Sequence, residues 1–517
     1  MSYTIEQKIG KHIYVYEVES YWDSEKKQPR QRRRYLGKKD PETGEVITPR
    51  KSKQLPRVSR DFGHVYLLKH IAKETGLKEA LQEVFGAEAD DILNLAYYCV
   101  SEGRPLYLYR QWAEMTALEG GARVLSSQQI SRLLKDLGRQ EALRESFFGD
   151  WIYRQKDIKA IVFDITSVSS YSKWLELLEW GYNRDGEHLR QINFGVVIGR
   201  PSGLPIGYRV YPGSITDVVT LKNLMEYLRA KGLRQYCFVL DRGFYSERNL
   251  NMMADEGIEF IIPVPFSTAL AKAVLSRHLR ELDSTVNAFV YEGQAYFYAQ
   301  GTVEVGSREV VYHIYSNDKA RAEAVEGLLR RLTAIEDAVK ARELKSVQEV
   351  EAFIEEQMKG GSRFYSITET SEGIVLQRKQ KALARRINRM GKMILLCSDG
   401  TKDRVDVLST YRKKDFLEKV FEVMKNEIDG GRLRVRDKDS LEGRLFVMFI
   451  ALIVYMALSN KMREKELYKK YTLSEVLFEL KKLRQVEMMN GQRYLTEMTK
   501  RQRSLYEALE VPLPDMT

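Results

Sequence analysis

The stretch YRKKDFLEKVFEVMK at 411–425 places Tyr411, Lys414, Glu418 and Lys425 at intervals that a single helix would align. At about 100° per residue they fall at about 0°, 300°, 340° and 320°, so one stripe would carry a phenol, two ammonium groups and a carboxylate. Val420, Phe421, Val423 and Met424 lie away from the centre of that stripe and can hold the helix against a core. Standing alone, such a stripe is most simply a solvated charged face. Two upstream aspartates change the reading: Asp164 in FDITSVSS and Asp241 in LDRGFYS each close an apolar run that reads as a strand. In an open sheet a residue at a strand's carboxyl end stands at the edge where sites form. Either aspartate alone is ordinary strand-end punctuation, but on neighbouring strands the two could bridge a metal, with Glu418 as third ligand. Carboxylates without histidine or cysteine ligands favour a hard ion, Mg²⁺ or Mn²⁺ as its substitute. Two such ions roughly 3.5–4 Å apart would activate a water or a 3′-hydroxyl and stabilise the leaving 3′-oxygen of an in-line phosphoryl displacement. A glycosidase reading of the same acids lacks any sugar-cleft context, and the basic segments call for phosphate.

Positioning these acids requires a sheet, and the middle of the chain supplies its signals. IKAIVFD reads as a strand ending in Asp164, and NFGVVIGRPSGLPIGYRVYPG as a hairpin turning at Pro201–Pro205. DVVTLKNLMEYLRAKG is a helix, QYCFVLD a strand ending in Asp241, SERNLNMMADEG a helix and IEFIIPV a strand. Three antiparallel strands followed by alternating helix and strand predict an α/β fold with a mixed sheet of the ribonuclease H-like kind. From 267 the alternation breaks, and 267–402 reads as a strand-rich insertion carrying a charged helical stretch at 318–359. Residues 61–150 read helical, with SSQQISRLLKDLG offering Ser126 or Ser127 as N-cap and Gly138 as the stop. Paired with the helix around LYLYRQWAEM, it weakly suggests a helix-turn-helix. Residues 1–50 alternate as a short antiparallel sheet with a basic turn, KKQPRQRRR, and 49–60 reads as a linker. The segment boundaries expected are therefore 1–54 strand-rich and basic, 55–154 helical and DNA-binding, 155–266 first part of the catalytic core, 267–402 insertion, 403–460 second part with the glutamate helix, and 461–517 a basic helical tail.

The chain has 517 residues, 44% of them apolar, and a formal net charge of +11. That length suits two to four globular domains. The charge is local: 26–39 holds eight Lys or Arg and no acid, and 378–392 holds seven and no acid. Such runs suit a polyanion, with Arg30, Arg32, Arg33 and Arg34 at the heart of the first. Cys99, Cys237 and Cys397 are isolated in sequence, which predicts buried thiols in a reducing compartment and no zinc pair. No secretory signal opens the chain, and LFVMFIALIVYMAL at 445–458 is fourteen residues, too short to span a bilayer and read as a buried helix. The location expected is the cytoplasm, with no membrane partner.

The residues around the three acids also resemble a known family, the insertion-sequence DDE transposases of the YREK group, bacterial elements whose glutamate helix reads Y-x-x-R-x-x-x-E-x(6)-K. Tyr411, Glu418 and Lys425 match in type and spacing, while Lys414 stands where the group has arginine. Asp164-Ile165-Thr166 resembles its D-x-T element, and Asp241, Arg242, Gly243, Ser246 and Asn249 its D-R-G-x-x-S-x-x-N element. Between them, Asp185, Gln191, Gly213 and Asp217 sit at matching places. The resemblance implies a ribonuclease H-like catalytic domain with a strand-rich insertion, and cut-and-paste transposition by a homodimer on paired terminal inverted repeats and target DNA. It implies two Mg²⁺ ions on Asp164, Asp241 and Glu418, and contacts from Tyr411, Lys414 and Lys425 to terminal phosphates, with Arg242 beside them. Lys414 keeps the charge but loses the planar fork of a guanidinium. Arg444 stands where many relatives have a histidine. The rival readings are a catalytically spent descendant kept for DNA binding, and a ribonuclease H-like nuclease acting without repeat ends.

Overall fold

The computed structural model describes the chain apart from residues 1, 24–27, 48–55, 119–122, 156, 173–174, 182, 184–187, 216, 307, 343, 345, 371–372, 413, 427–431 and 516–517; within helices and strands the side chains of 23, 217–219, 283, 373, 415–419 and 432 are also outside the description. It divides into two compact units. The first comprises 1–66, 115–117 and 477–517, and the second comprises 67–114 and 118–476.

In the first unit, Ser2–Ile9, His12–Asp23, Gln28–Lys39 and Val46–Ile47 form a four-stranded antiparallel sheet. The part of the expected basic turn from Gln28 to Arg34 is thus strand, because each of these residues finds a ladder partner on His12–Asp23. A second sheet joins Pro56–Asp61 to Arg484–Met488 and Arg493–Leu495. The expected linker at 49–60 therefore ends in a strand, and the tail expected to be helical keeps helices at Leu473–Lys481 and Lys500–Ala508 but folds as a hairpin between them. The turn at Met488–Gln492, closed by the Gly491 amide on Met488 O at 2.9 Å, breaks the helical pattern.

The second unit is mixed α/β and is built on one ten-stranded sheet. Its first five strands are β1 (Ala160–Ser170), β2 (Gln191–Arg200), β3 (Pro205–Pro212), β4 (Cys237–Leu240) and β5 (Glu259–Pro263). β1, β2 and β3 form an antiparallel meander, while β4 lies parallel to β1 and β5 parallel to β4. The spatial order is β3-β2-β1-β4-β5. β6 (Phe289–Tyr291), β7 (Gln294–Val305), β8 (Arg308–Ser316) and β9 (Lys392–Cys397) come from the predicted insertion. They do not build a sheet of their own. β9 pairs antiparallel with β5, Ile261 facing Cys397, and β8, β7 and β6 continue the same sheet outward. β5 is an apolar strand, EFIIP, whose free edge would otherwise offer unpaired backbone groups.

The rest of the insertion is a module with a small core of its own. α3 (Asp318–Ala341), α4 (Val347–Gln357) and α5 (Gln380–Ile387) surround a hairpin of Tyr365–Thr370 and Gly373–Arg378. Leu328, Leu332, Ile335, Val350, Ile354 and Phe364 are buried among them.

The apolar segment at 445–458 sits inside a longer helix, α8 (Lys438–Glu464), with 89% of its most apolar window buried within the protein. It packs on α1 (Ser127–Arg139), which is capped by Ser126 through a reciprocal box with Gln129. Gly138 does not stop α1; the helix continues through it to Arg139. A Cβ at Gly138 would lie 1.8 Å from Asp439 O, and one at Gly443 would lie 1.8 Å from Leu134 O. The two glycines let the helix backbones touch, which also accounts for the glycine beside Arg444. The Arg444 side chain is buried and donates to Cys99 Sγ at 3.6 Å. All three cysteines are buried thiols, as expected, and burial pushes Cys237 up to about 12 and Cys397 up to about 11.

Candidate active site

Asp164 does not end its strand. β1 runs six residues further, to Ser170, because β2 pairs with it along almost the whole length, Asp164 facing Val196 and Ser169 facing Gln191. The parallel neighbour is shorter. β4 matches Ala160 to Cys237 and Phe163 to Leu240 and then stops. Asp164 and Asp241 each follow directly on that last ladder pair, Phe163 and Leu240. Past that point this edge of β1 meets no further β4 residue, until the short strand β10 (Arg432–Leu433) pairs with Ser169 and Ser170. The result is a notch in the sheet at the two aspartates.

Their surroundings differ. Asp164 is 1% exposed and accepts from the Ile165 amide at 2.8 Å. Asp241 has a side chain 32% exposed and caps the short 3₁₀ turn Arg242–Phe244, accepting from the Arg242 amide at 2.6 Å. The turn is held from behind by two residues of the D-R-G-x-x-S-x-x-N element. Ser246 caps α2 (Glu247–Asp255) by accepting from the Asn249 amide at 3.1 Å, and the buried Asn249 donates to Phe244 O at 2.9 Å. These two side chains shape the loop that presents Asp241. Gln191 and Gly213 serve similarly: Gln191 is fully buried and its amide reaches Gly213 O at 3.4 Å. Asp185 and the Asp217 side chain lie outside the described residues.

The stretch at 411–425 is not one helix. α6 (Arg404–Arg412) ends before residue 413, and α7 (Asp415–Asn426) begins after Lys414, whose amide closes a tight turn on Tyr411 O at 2.9 Å. The stripe inferred from continuous helical spacing is therefore broken between Tyr411 and Lys414. Lys414 instead turns inward: it is 4% exposed, and its Nζ stands 3.0 Å from Asp241 Oδ1 and 5.9 Å from the centre of the Tyr411 ring. That excludes a solvated side chain at Lys414. α7 packs on β1 and α8 through the expected apolar face, with Val420, Phe421 and Met424 buried and Val423 half-buried. Helical repeat puts position 418 on the same side of α7 as 421 and 425. The Glu418 side chain lies outside the described residues; among those described, no third metal-ligating residue joins the two aspartates.

Beside Asp241 opens a cavity of about 490 Å³. Arg242, Lys392, Tyr411 and Arg412 line it together with Tyr296 and Tyr315 from the added strands. Sequence reasoning singled out Arg242 and Tyr411 but not Arg412, Tyr296 or Tyr315. Nothing local marks Tyr296 and Tyr315, which strand pairing brings there, while Arg412 follows Tyr411 at the end of α6 and donates to the Tyr296 hydroxyl at 3.4 Å. Lys425 is half-buried in the last turn of α7.

The family model described as transposase DDE domain matches residues 155–454, which span Asp164, Asp241 and the helix of Glu418. The chain belongs to that family. No curated protein matches it. Among solved structures, a piggyBac transposase synaptic complex with hairpin DNA, determined by cryo-EM, is similar at a TM-score of 0.36 and 11% identity, over 88% of this chain and 84% of that one. No residue can be carried across at that distance. Both aspartates of this transposase come from the matched segment, and so do the structural residues Gln191, Gly213, Ser246 and Asn249.

The N-terminal arginines lie outside that segment. On the strand Gln28–Lys39, Arg30, Arg32 and Arg34 share one face and Arg33 takes the other. Arg34 faces Glu17 across the ladder and Arg32 faces Glu19, with Arg34 Nη1 3.9 Å from Glu17 Oε2. Part of this positive charge is thus offset within the sheet.

Proposed function

We propose that this member of the family is a cut-and-paste DNA transposase, binding terminal inverted repeats as a homodimer and catalysing strand cleavage and strand transfer with two Mg²⁺ ions. The strand order β3-β2-β1-β4-β5, antiparallel then parallel, supports a ribonuclease H-like reading of the core. The observation that carries the proposal is the register Phe163↔Leu240, which sets Asp164 and Asp241 side by side at the notch. The donor set suits a hard cation, because it is all oxygen and a cation, the Lys414 ammonium, already stands against Asp241. Asp164, Asp241 and Glu418 would hold the ions. When bound, these would polarise the scissile phosphodiester and acidify the attacking water or 3′-hydroxyl.

The chain's own residues do the positioning. The Arg242 amide fixes one oxygen of Asp241, and the Ser246–Asn249 clamp keeps the turn from moving. The buried body of β1 holds Asp164 in a site that water reaches poorly, which strengthens its interaction with any cation beside it. Arg242, Arg412 and Lys392 around the adjoining cavity provide positive charge for phosphates flanking the scissile bond. Tyr411 and Lys425 are assigned to terminal phosphates, and Arg30, Arg32, Arg33 and Arg34 to duplex DNA away from the cut. We place the enzyme in the bacterial cytoplasm, on the nucleoid when bound.

The test uses duplexes carrying the terminal repeats that flank the reading frame. Asp164→Ala, Asp241→Ala and Glu418→Ala should each remove Mg²⁺-dependent cleavage while gel-shift affinity stays within about two-fold. Cleavage that survives one of these changes takes that residue out of the site.

A further inference from the structure

The seven cations of 378–392 are separated by the fold. Arg378 is spent internally: its Nε and Nη2 donate to Glu336 Oε1 and Oε2 at 2.6 and 2.8 Å. Lys392 lines the cavity beside Asp241. Arg386, on α5, lines a different cavity of about 540 Å³ within the inserted module, whose lining includes Arg331 from α3 and Lys359 and Arg363 from the turn after α4. Leu328 and Phe364 are the buried part of its wall.

We infer that this cavity is a binding site for backbone phosphate of duplex DNA, an inference that rests on the transposase reading. Four cations line it, and no Asp or Glu is among the described residues that do. Glu355, beside this turn, accepts from the Gly360 amide at 2.6 Å and from the Ser362 amide at 3.2 Å and hydroxyl at 2.5 Å, and its charge also reaches Arg363. Those bonds, with the Gly361 amide on Met358 O, occupy three of the turn's amides, and recognition is assigned to the four side chains. A concavity lined by several cations and no carboxylate suits an anionic ligand. All four cations are exposed, so they hold a small free anion weakly against water and salt. A polyanion is different, because each phosphate engaged releases condensed counterions. The exposed Lys379, Lys381 and Arg385 on and beside α5 extend the positive surface from the cavity, which suits a strand crossing it rather than an isolated ion.

The experiment measures affinity of the full chain for a duplex of arbitrary sequence across a salt series. Arg331→Gln/Arg386→Gln removes two exposed cations whose loss disturbs no packing. The double variant should bind roughly ten-fold more weakly at about 100 mM salt, with the slope of log affinity against log salt flattened by about 0.9 for the phosphate lost. Arg331→Lys/Arg386→Lys should keep most of the slope. Lys340→Gln, an exposed change in the same module, should leave it as it was. An unchanged slope in the Gln variant, with wild type binding normally, overturns this site and leaves the transposase reading standing. Thermal stabilisation by inorganic phosphate that the Gln variant loses, alongside an unchanged DNA slope, makes the site one for a free anion and overturns the assignment to DNA. Wild type that binds no duplex at any salt removes the DNA-binding reading and this site with it.

Discussion

Two cavities of nearly equal size, about 490 Å³ beside Asp241 and about 540 Å³ in the inserted module, differ in one respect that decides what each can do. The first mixes a carboxylate with Arg242, Lys392 and Arg412, and is walled by the end of β5, the start of β9 and the end of α6. The second holds four cations and is built from helix ends around a separate small core. A carboxylate among cations can gather a metal and a phosphate together, whereas cations alone can only hold the phosphate. On the proposed reading, chemistry and grip fall to different parts of one unit.

The strongest way to break this contrast is to remove a carboxylate. Asp241→Asn should lower metal-dependent cleavage by on the order of 10³ or more, as losing one member of a catalytic constellation does, and leave the salt slope of binding as it was. A parallel loss of binding would mean that Asp241 builds the DNA surface instead of acting in the cut.

Acid should separate the sheet from the module. His313 on β8 is 1% exposed, with its Nδ1 2.8 Å from the Tyr298 hydroxyl, and burial holds it down to about 4 against a pull upward from Asp403. The unfolded chain takes up this proton first as pH falls, so the contribution is full above about 6.5 and is lost on the way down to about 4. It amounts to something on the order of 3 kcal/mol. In the module the sign is that of a carboxylate: Arg378 holds Glu336 below its usual range, so its contribution persists to lower pH and goes only as pH falls through the depressed value. Denaturant titrations between pH 7 and 4 should show wild type losing stability across the histidine window and His313→Asn losing less. Identical slopes would mean that His313 is not kept neutral in the folded protein.

Lys414 tests the surroundings of Asp241 more gently. Lys414→Met keeps the bulk but withdraws the ammonium from Asp241, whose partial exposure lets water compensate. The expected loss is about 1–2 kcal/mol, discounted from the larger values of fully buried pairs. Calorimetry without metal would read it, and an unchanged melting temperature would mean that the pair adds nothing to the fold.

The smallest effect makes the finest distinction. Arg378→Gln and Arg386→Gln are eight residues apart in one basic run. The first should cost about 1 kcal/mol of stability, for a half-exposed bidentate pair, and leave the salt slope alone. The second should do the reverse. If both act alike, the division of the run by the fold has no functional meaning.

The chain's own pattern determined more of the site than of its setting. Asp241 closing its apolar run, the hairpin between Arg200 and Pro205, the cap at Ser126 and the apolar face of α7 are local matters of periodicity and side-chain hydrogen bonding, and each stands where the residues put it, whereas β2 carries the strand of Asp164 six residues past it. What one residue type means could still change with a neighbour far away in the chain. Gly138 reads as a helix stop until α8 presses Asp439 against it. Lys414 reads as one step of a helical stripe until a turn swings it onto Asp241, 173 positions earlier in the sequence. The inserted strands read as a domain apart until the edge of β5 recruits β9 and makes one sheet of them. Arg378, Arg386 and Lys392 are alike in sequence and serve three sites, because charge is a property of the residue but its partner is chosen by strand register and helix packing across the whole unit.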